Sequence, residues 1–412
     1  MSRFTTCLLA ATLALPALTI PRIAEAQDDT AISAEIGATG LAATEARLAA
    51  MGDPTATERF ALGGVRFLLG VEHALQTRYA TDIQGDLAEM SGLPVLRLPL
   101  PPNPDATPFE PRSVADLFEG IARDMDLALA TLDTVGPETE VGLVIDTGDL
   151  WFDVNANGLR ETGEGVLELS GVLLAPQWED PVPAAPITVR FDTADAAWLR
   201  AYAHLILGVS DVVLSVDPTE AIARVIEART EMAARAPLPQ SPDAFFSTQS
   251  IADAVDVFAM FAFALDGQPD AALMRSAHAN FLGMIEENRV FWTLVARETD
   301  DAMEWIPGKA QQSALPIPFP PDLGQRWQAV LADAERLLTG ELLLPVWRMG
   351  DGTGVNLARL MQDPPSLEVI GLLQGTALLP YLEDGPLIDG TSLAQFEQMV
   401  GGNAGLYMVV LN

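Results

Sequence analysis

Residues 153 to 164 read Asp-Val-Asn-Ala-Asn-Gly-Leu-Arg-Glu-Thr-Gly-Glu. The side-chain oxygens of Asp153, Asn155 and Asn157 alternate along this run and can converge on one hard cation. Gly158 permits the sharp turn and Leu159 can offer its carbonyl. Glu161 is placed to act directly or through a water, and Glu164 sits where a bidentate carboxylate closes the shell. Three carboxylates face one neighbouring cation, Arg160, so the run carries mutual repulsion that a divalent ion would relieve. An oxygen-only donor set of this size suits Ca2+ better than Mg2+, which demands a tight octahedron and keeps its waters.

With every ligand position filled, these twelve residues resemble an EF-hand-type calcium loop. The resemblance extends over residues 153–164 only. It implies Ca2+ held by Asp153, Asn155, Asn157, Leu159, Glu161 and Glu164. Two positions depart from that pattern: Arg160 stands where an apolar residue normally pairs with a second loop, and Gly165 follows the closing glutamate. The flanks, Leu150-Trp151-Phe152 and Val166-Leu167-Glu168-Leu169, read as strand. The expectation is a solitary loop between two short strands that fixes its segment, rather than a helix-loop-helix sensor. The alternative is an Asn-Gly-rich hairpin turn without metal.

A second group of candidates is the acidic cluster Glu298, Asp300, Asp301 and Glu304, followed by Trp305 and Pro307. Paired carboxylates can act as acid and base or bind a metal, and in a chain this acidic they also serve as a solvated helix end. His73 and His278 adjoin core-facing positions, and His204 shares a helix stripe with Arg200 and Asp211, so all three read as packed or salt-bridged. Trp151, Trp178, Trp305 and Trp347 fall in or near loops, where an aromatic ring can stack on a ligand. The sequence contains no H-E-x-x-H, no G-x-S-x-G, no phosphate-cradling G-x-x-x-x-G-K-[ST] and no G-x-G-x-x-G after a strand.

The elements that must position these residues are mainly helical. Phe60, Val65, Leu68, Leu69, Leu75 and Tyr79 predict an amphipathic helix over 56–79. Ser113 with Asp116 marks the start of another, carrying Leu117, Ile121, Met125, Leu129 and Leu132. Trp198 to Val216 forms a third, Asp217-Pro218 opens a fourth, and further patterns run over about 269–297 and 322–338. Val255 to Leu265 reads as a buried core helix. Short runs rich in β-branched and aromatic residues, Val141 to Asp146, Leu150 to Asp153, Val166 to Leu169 and Ile187 to Phe191, predict a small β insert. The expected fold class is therefore mainly α, a multi-helix body with a small β insert carrying the calcium-type loop. Its segments are 1–26, 27–135 (helical), 136–192 (the insert) and 193–412 (helical, one body with 27–135).

Composition bounds the function. The 412-residue chain holds 57 acidic and 23 basic residues for a net charge of −34, so it has nothing to neutralise a row of phosphates, and no nucleic-acid partner is expected. Arg3, the apolar run 7–20 and Ala24-Glu25-Ala26 read as a secretory signal peptide too short to span a membrane. Cys7 is the only cysteine, so a chain cleaved after Ala26 has no thiol, no disulfide and no thiolate metal ligand. Two function classes follow. One is an exported, periplasmic or secreted acidic protein with a binding or structural role and a Ca2+-stabilised loop, with no transmembrane segment in the mature chain. The other is an exported metal-assisted hydrolase built on Asp300, Asp301, Glu304 and His278. The first reading predicts a mature chain beginning at Gln27. Intact-mass measurement of exported protein should show the loss of residues 1–26, and a mass that retains them contradicts cleavage.

Overall fold

In this computed structural model the described residues are 30–81, 98, 100–169, 185–235, 248–366 and 368–412. The expected signal segment, Cys7 and Trp178 lie outside them. Helices α1 (Ala31–Ala49), α2 (Ala56–Thr81) and α3 (Ser113–Leu132) precede strands β1 (Leu143–Asp146) and β2 (Thr188–Phe191). Then come α4 (Thr193–Ser215), α5 (Thr219–Arg235), α6 (Thr248–Leu265), α7 (Ala271–Val295) and α8 (Leu323–Leu338). Strands β3 (Leu344–Pro345), β4 (Thr353–Val355) and β5 (Leu382–Asp384) form a second sheet, with α9 (Leu357–Gln362) and α10 (Val369–Gln374) between β4 and β5. Helices α11 (Thr391–Met399) and α12 (Ala404–Leu411) follow. The fold is mainly helical with only small sheets.

Helix α3 shows why the period was readable: Leu117, Ile121, Met125, Ala128 and Leu132 recur every three or four residues and all are buried. Helix α4 is the centre of the molecule. It begins at a capping box in which the Asp192 carboxylate accepts from Ala194 N–H and the Asp195 carboxylate accepts from Asp192 N–H at 2.8 Å, so two of the first-turn donors are satisfied. It packs on α7 through small residues. Ala194, Ala197 and Ala277 belong to one core, and Gly208 lies so close to Phe281 that a Cβ would come within 2.6 Å of its ring. Trp198 touches both the N-terminal and the C-terminal core, and its indole N–H donates to Val410 O at 2.9 Å. Half of the most apolar stretch of α4, the one helix among those described that is long and apolar enough to cross a membrane, is buried in this protein interior.

Strands β1 and β2 pair antiparallel, Leu143 opposite Phe191 and Asp146 opposite Thr188, as the β-branched runs predict. Two expectations are corrected, and one sheet is added. Val166–Leu169 is a helical turn, the Glu168 and Leu169 amides bonding back to Gly165 O, not a strand. A four-residue apolar run with one glutamate fits either state, and the loop before it supplies a helix start. The stretch Val255 to Leu265 does lie in a helix, α6, but Val255, Phe258 and Phe261 stand exposed and only Val257 is deeply buried. The sheet β3–β4–β5 has strands of two or three residues, too short to produce a period.

The glycines of α4 and α2 give a paired test. Gly64→Ala places a Cβ 3.8 Å from its nearest neighbour, Leu199, so it should raise stability by about 0.5–1 kcal/mol through helix propensity. Gly208→Ala drives a Cβ into the Phe281 ring and should lower stability by about 1–3 kcal/mol. Thermal melts of both variants read the sign. Equal effects would mean that α4 and α7 are not packed this closely.

Candidate functional site

The loop 153–164 hangs from α1 and α2. Trp151 pairs with Gly165 in an antiparallel bridge, Phe152 N–H donates to Glu164 O at 2.9 Å, and Val166 N–H donates to Leu150 O at 3.0 Å, closing the base of the loop. The Trp151 indole is buried and donates to Ile36 O at 2.9 Å. Its ring lies against Gly40, where φ is +81° and a Cβ would come within 3.0 Å, so glycine is required there for both conformation and space. From α2, Glu72 accepts from Asp153 N–H at 2.8 Å and Gln76 donates to Asp153 O at 2.8 Å.

Inside the loop the oxygens turn inward onto the loop's own amides. Asp153 accepts from Asn157 N–H and Gly158 N–H at 2.9 and 2.7 Å, and Asn157 Oδ1 accepts from Leu159 N–H at 2.7 Å. Glu164, only 2% exposed, folds back beneath the loop. Its two oxygens accept from Val154 N–H at 3.0 Å and Glu161 N–H at 2.7 Å. Asn155 donates to Glu161 at 2.6 Å, and Gly158 has φ +74° at the tightest point of the turn. Leu159 is an exposed side chain whose backbone alone could serve. The flanks are a single bridge and a helical turn, so this segment is not a helix-loop-helix. Burial raises the Glu164 carboxyl above its ordinary range, with Asp153 and Glu161 adding to the shift. Burial likewise pushes Glu72 up to about 7. Arg160, the cation within the loop, points instead to Gly148 O at 2.9 Å.

The acidic cluster divides. Glu298 and Glu304 converge with Asp192, one oxygen of each lying within 4.8 Å of the others, close enough for a single divalent ion. Asp195 lies fully buried behind them, and its carboxyl is raised well above the ordinary range by burial and then by Asp192, Glu298 and Glu304. Burial and then the charge of Asp192 push Glu298 up to about 7; it hydrogen-bonds Asp192 and accepts from Gln311 at 3.0 Å. Glu304 is raised mainly by burial and accepts from Ala302 N–H at 2.9 Å. Asp300 and Asp301 do not join this triad. Asp300 stands 3.6 Å from Arg190, and Asp301 accepts from Gln312 N–H at 2.7 Å. His278 is elsewhere, its Nε2 2.7 Å from Leu338 O, so the expected acid-base set of Asp300, Asp301, Glu304 and His278 is not assembled.

His73, between the buried Glu72 and Ala74, pairs with Asp124 at 2.8 Å, in keeping with its salt-bridged reading, and His204 meets Asn280, which donates to Asp211. Asp192 and Asp195 were not singled out as site residues. Their spacing, Asp-x-x-Asp before an apolar helix, signals a cap and not a ligand. Trp305 packs between Phe191 and Trp198, while Trp347 is largely exposed. A cleft of about 230 Å³ lies apart from both acidic groups, between Val346, Met349, Leu378, Leu379 and Leu382, with Arg348 its one charge. No protein-family model, no curated protein and no solved structure matches this chain.

The raised carboxyls fix a pH dependence. Glu298 goes from an ordinary 4.5 to about 7, so between those values the folded chain holds a proton that the unfolded chain has lost. Its contribution is favourable below about pH 4.5, declines as pH rises and is gone above about 7. Asp195 and Glu72 act in the same direction. Melting temperature should fall by a few degrees from pH 5 to pH 8, and Glu298→Gln should raise it at pH 8 and flatten the profile. A lower melting temperature for Glu298→Gln at pH 8 would instead mark Glu298 as an ionised ligand of a cation.

Proposed function

We propose that this is an exported protein with a binding or structural role whose 153–164 loop takes up Ca2+ and thereby rigidifies the attachment of that loop to the helical body. The observation that carries the reading is Glu164, a carboxylate folded under the loop at 2% exposure with Asp153, Glu161 and Glu72 as like-charged neighbours and the loop's arginine turned away. A buried carboxylate among like charges is costly unless donors, a proton or a cation offset it; Glu164 has two loop amides, a cation would add to them, and the donor set here is oxygen throughout. Asp153, Asn155, Asn157, Glu161, Glu164 and the Leu159 carbonyl would hold the ion. Its charge would offset the repulsion, and through the hydrogen bonds of Asp153 to Glu72 and Gln76 its binding would stiffen α2. With no second loop to preorganise it, affinity should lie near 10⁻⁴ to 10⁻³ M, about the range of extracellular modules. Export rests on the apolar run 7–20 and the Ala24-Glu25-Ala26 site.

The convergence of Asp192, Glu298 and Glu304 supports a second reading, a metal-assisted hydrolase, with those three carboxylates in place of Asp300, Asp301 and His278. It is the weaker of the two because, among the described residues, the polar neighbours of these carboxylates are the buried Asp195, Gln311 and Arg190, none of them a histidine or a nucleophile.

Thermal melts test the calcium reading. At ten times the dissociation constant, linkage adds about 1.4 kcal/mol, so melting temperature should rise by a few degrees in Ca2+ and not in Mg2+. Glu164→Gln keeps the shape and should abolish the shift. Identical melting of the wild type in millimolar Ca2+ and in chelator would make the loop a turn only. A shift lost in Glu298→Gln but kept in Glu164→Gln would move the metal to the second site.

A further inference from the structure

The cleft of about 230 Å³ is built from the segment after β3, the end of α10 and the 3₁₀ helix Thr376–Tyr381. Its walls are apolar, and Arg348 is the one charged residue lining it. The arginine is held in place. Its Nη1 donates to Gln374 O at 3.2 Å and its guanidinium lies 5.3 Å from the Trp347 ring, while the Trp347 indole N–H donates to Leu373 O at 3.3 Å. The last carbonyls of α10 thus tether residues 347 and 348, and most of the guanidinium fork is left to meet a ligand. Among the described residues Arg348 has no ion-pair partner, although the chain has 57 acidic residues for 23 basic ones. Around the cleft large apolar side chains stand in water: Trp347 is 79% exposed, Leu373 65% and Leu379 61%.

We propose that this cleft binds a small monoanionic amphiphile, a fatty-acid-type carboxylate of medium chain length, with its head on Arg348 and its tail along Leu378, Leu379 and Leu382. Three observations select that occupant. The first is charge at the site. An unpaired, tethered guanidinium beside an apolar wall matches a ligand with one carboxylate and an otherwise apolar body, because the fork of N–H donors fits a carboxylate and the wall offers nothing to a second polar group. The second is charge of the whole. At a net charge of −34 the body repels an anionic membrane or an acidic polypeptide over a Debye length of about 10 Å, whereas a single negative charge beside Arg348 meets far less of that repulsion. The third is size. A cleft of about 230 Å³ falls below the roughly 300–1,000 Å³ of drug-sized sites. At about 30 Å³ for each water-sized group it takes roughly eight methylenes, the tail of a medium-chain acid.

Isothermal titration of the full chain with decanoate, below its micelle concentration, tests the proposal. The expected result is saturable one-to-one binding with a dissociation constant on the order of 10⁻⁴ M, in keeping with a ligand of about a dozen heavy atoms. Arg348→Gln keeps the reach of the side chain and removes its charge, so it should weaken decanoate binding about tenfold and leave the weaker binding of uncharged decanol unchanged. Leu379→Glu, at an exposed position, should abolish binding of both with an unchanged melting temperature, and Phe258→Asp, on the exposed part of α6, should change neither. Binding should be the same in Ca2+ and in chelator, because the cleft shares no residue with the 153–164 loop; the calcium reading can therefore fail without this one. Absence of saturable decanoate binding overturns the proposal, as does an affinity that Arg348→Gln leaves intact or that Phe258→Asp removes. Protein that binds neutral phosphatidylcholine vesicles through Trp347 but not free decanoate would overturn it and assign the surface to a lipid bilayer, and a dimer lost in Leu379→Glu, without decanoate binding, would assign it to a second copy.

Discussion

The cost of burying carboxylates governs this molecule. The chain has 57 acidic and only 23 basic residues, and Glu72, Glu164, Asp195 and Glu304 are buried with no arginine or lysine ion pair among the described residues. An ionised carboxylate in such surroundings must be stabilised by donors, by a proton or by a bound ion. Asp195 takes the Asp192 amide at the head of α4, and burial raises its carboxyl well above the ordinary range. Glu298 shares a hydrogen bond with Asp192. Glu164 takes two loop amides, and on the reading proposed here an ion supplies the rest.

The loop and the body are one mechanical unit because of what surrounds Trp151. Its ring occupies the space that Gly40 leaves, its indole is tied to Ile36, and two residues on, Asp153 is held from α2 by Glu72 and Gln76. Ser33 adds a further link, donating to Asp149 at 2.6 Å and accepting from Asp146 N–H at 2.9 Å. Whatever changes the order of the loop therefore acts on α1 and α2, the helices that build the N-terminal core.

Most long helices were legible because one face of each is buried, as in α3, where the three-to-four spacing of Leu117, Ile121, Met125 and Leu132 is the core itself. The same logic misled at α6, where Val255, Phe258 and Phe261 stand exposed, Val257 is buried and the aspartates pair with Arg229; hydrophobic content gives the helix but not how its faces are disposed. The convergence of Asp192 with Glu298 and Glu304 was not legible at all. More than a hundred residues separate the partners, and strand β2 brings them together, Arg190 N–H donating to Met303 O at 3.0 Å just beside the cluster. Local patterns report local structure, and a long-range backbone pairing of this kind leaves no period in either segment. The loop at 153–164 is the opposite case, since its polar side chains are contiguous in sequence and turn onto the loop's own amides.

The central claim is that the loop holds a cation with oxygens closed by Glu164. Terbium luminescence tests it directly, because Trp151 lies two residues from Asp153 and can pass excitation to a lanthanide bound among the loop oxygens. The account predicts tryptophan-excited terbium emission that Ca2+ displaces, Mg2+ does not, and Glu164→Gln removes. Absence of sensitised emission from the wild type, or emission that survives Glu164→Gln unchanged, would contradict it.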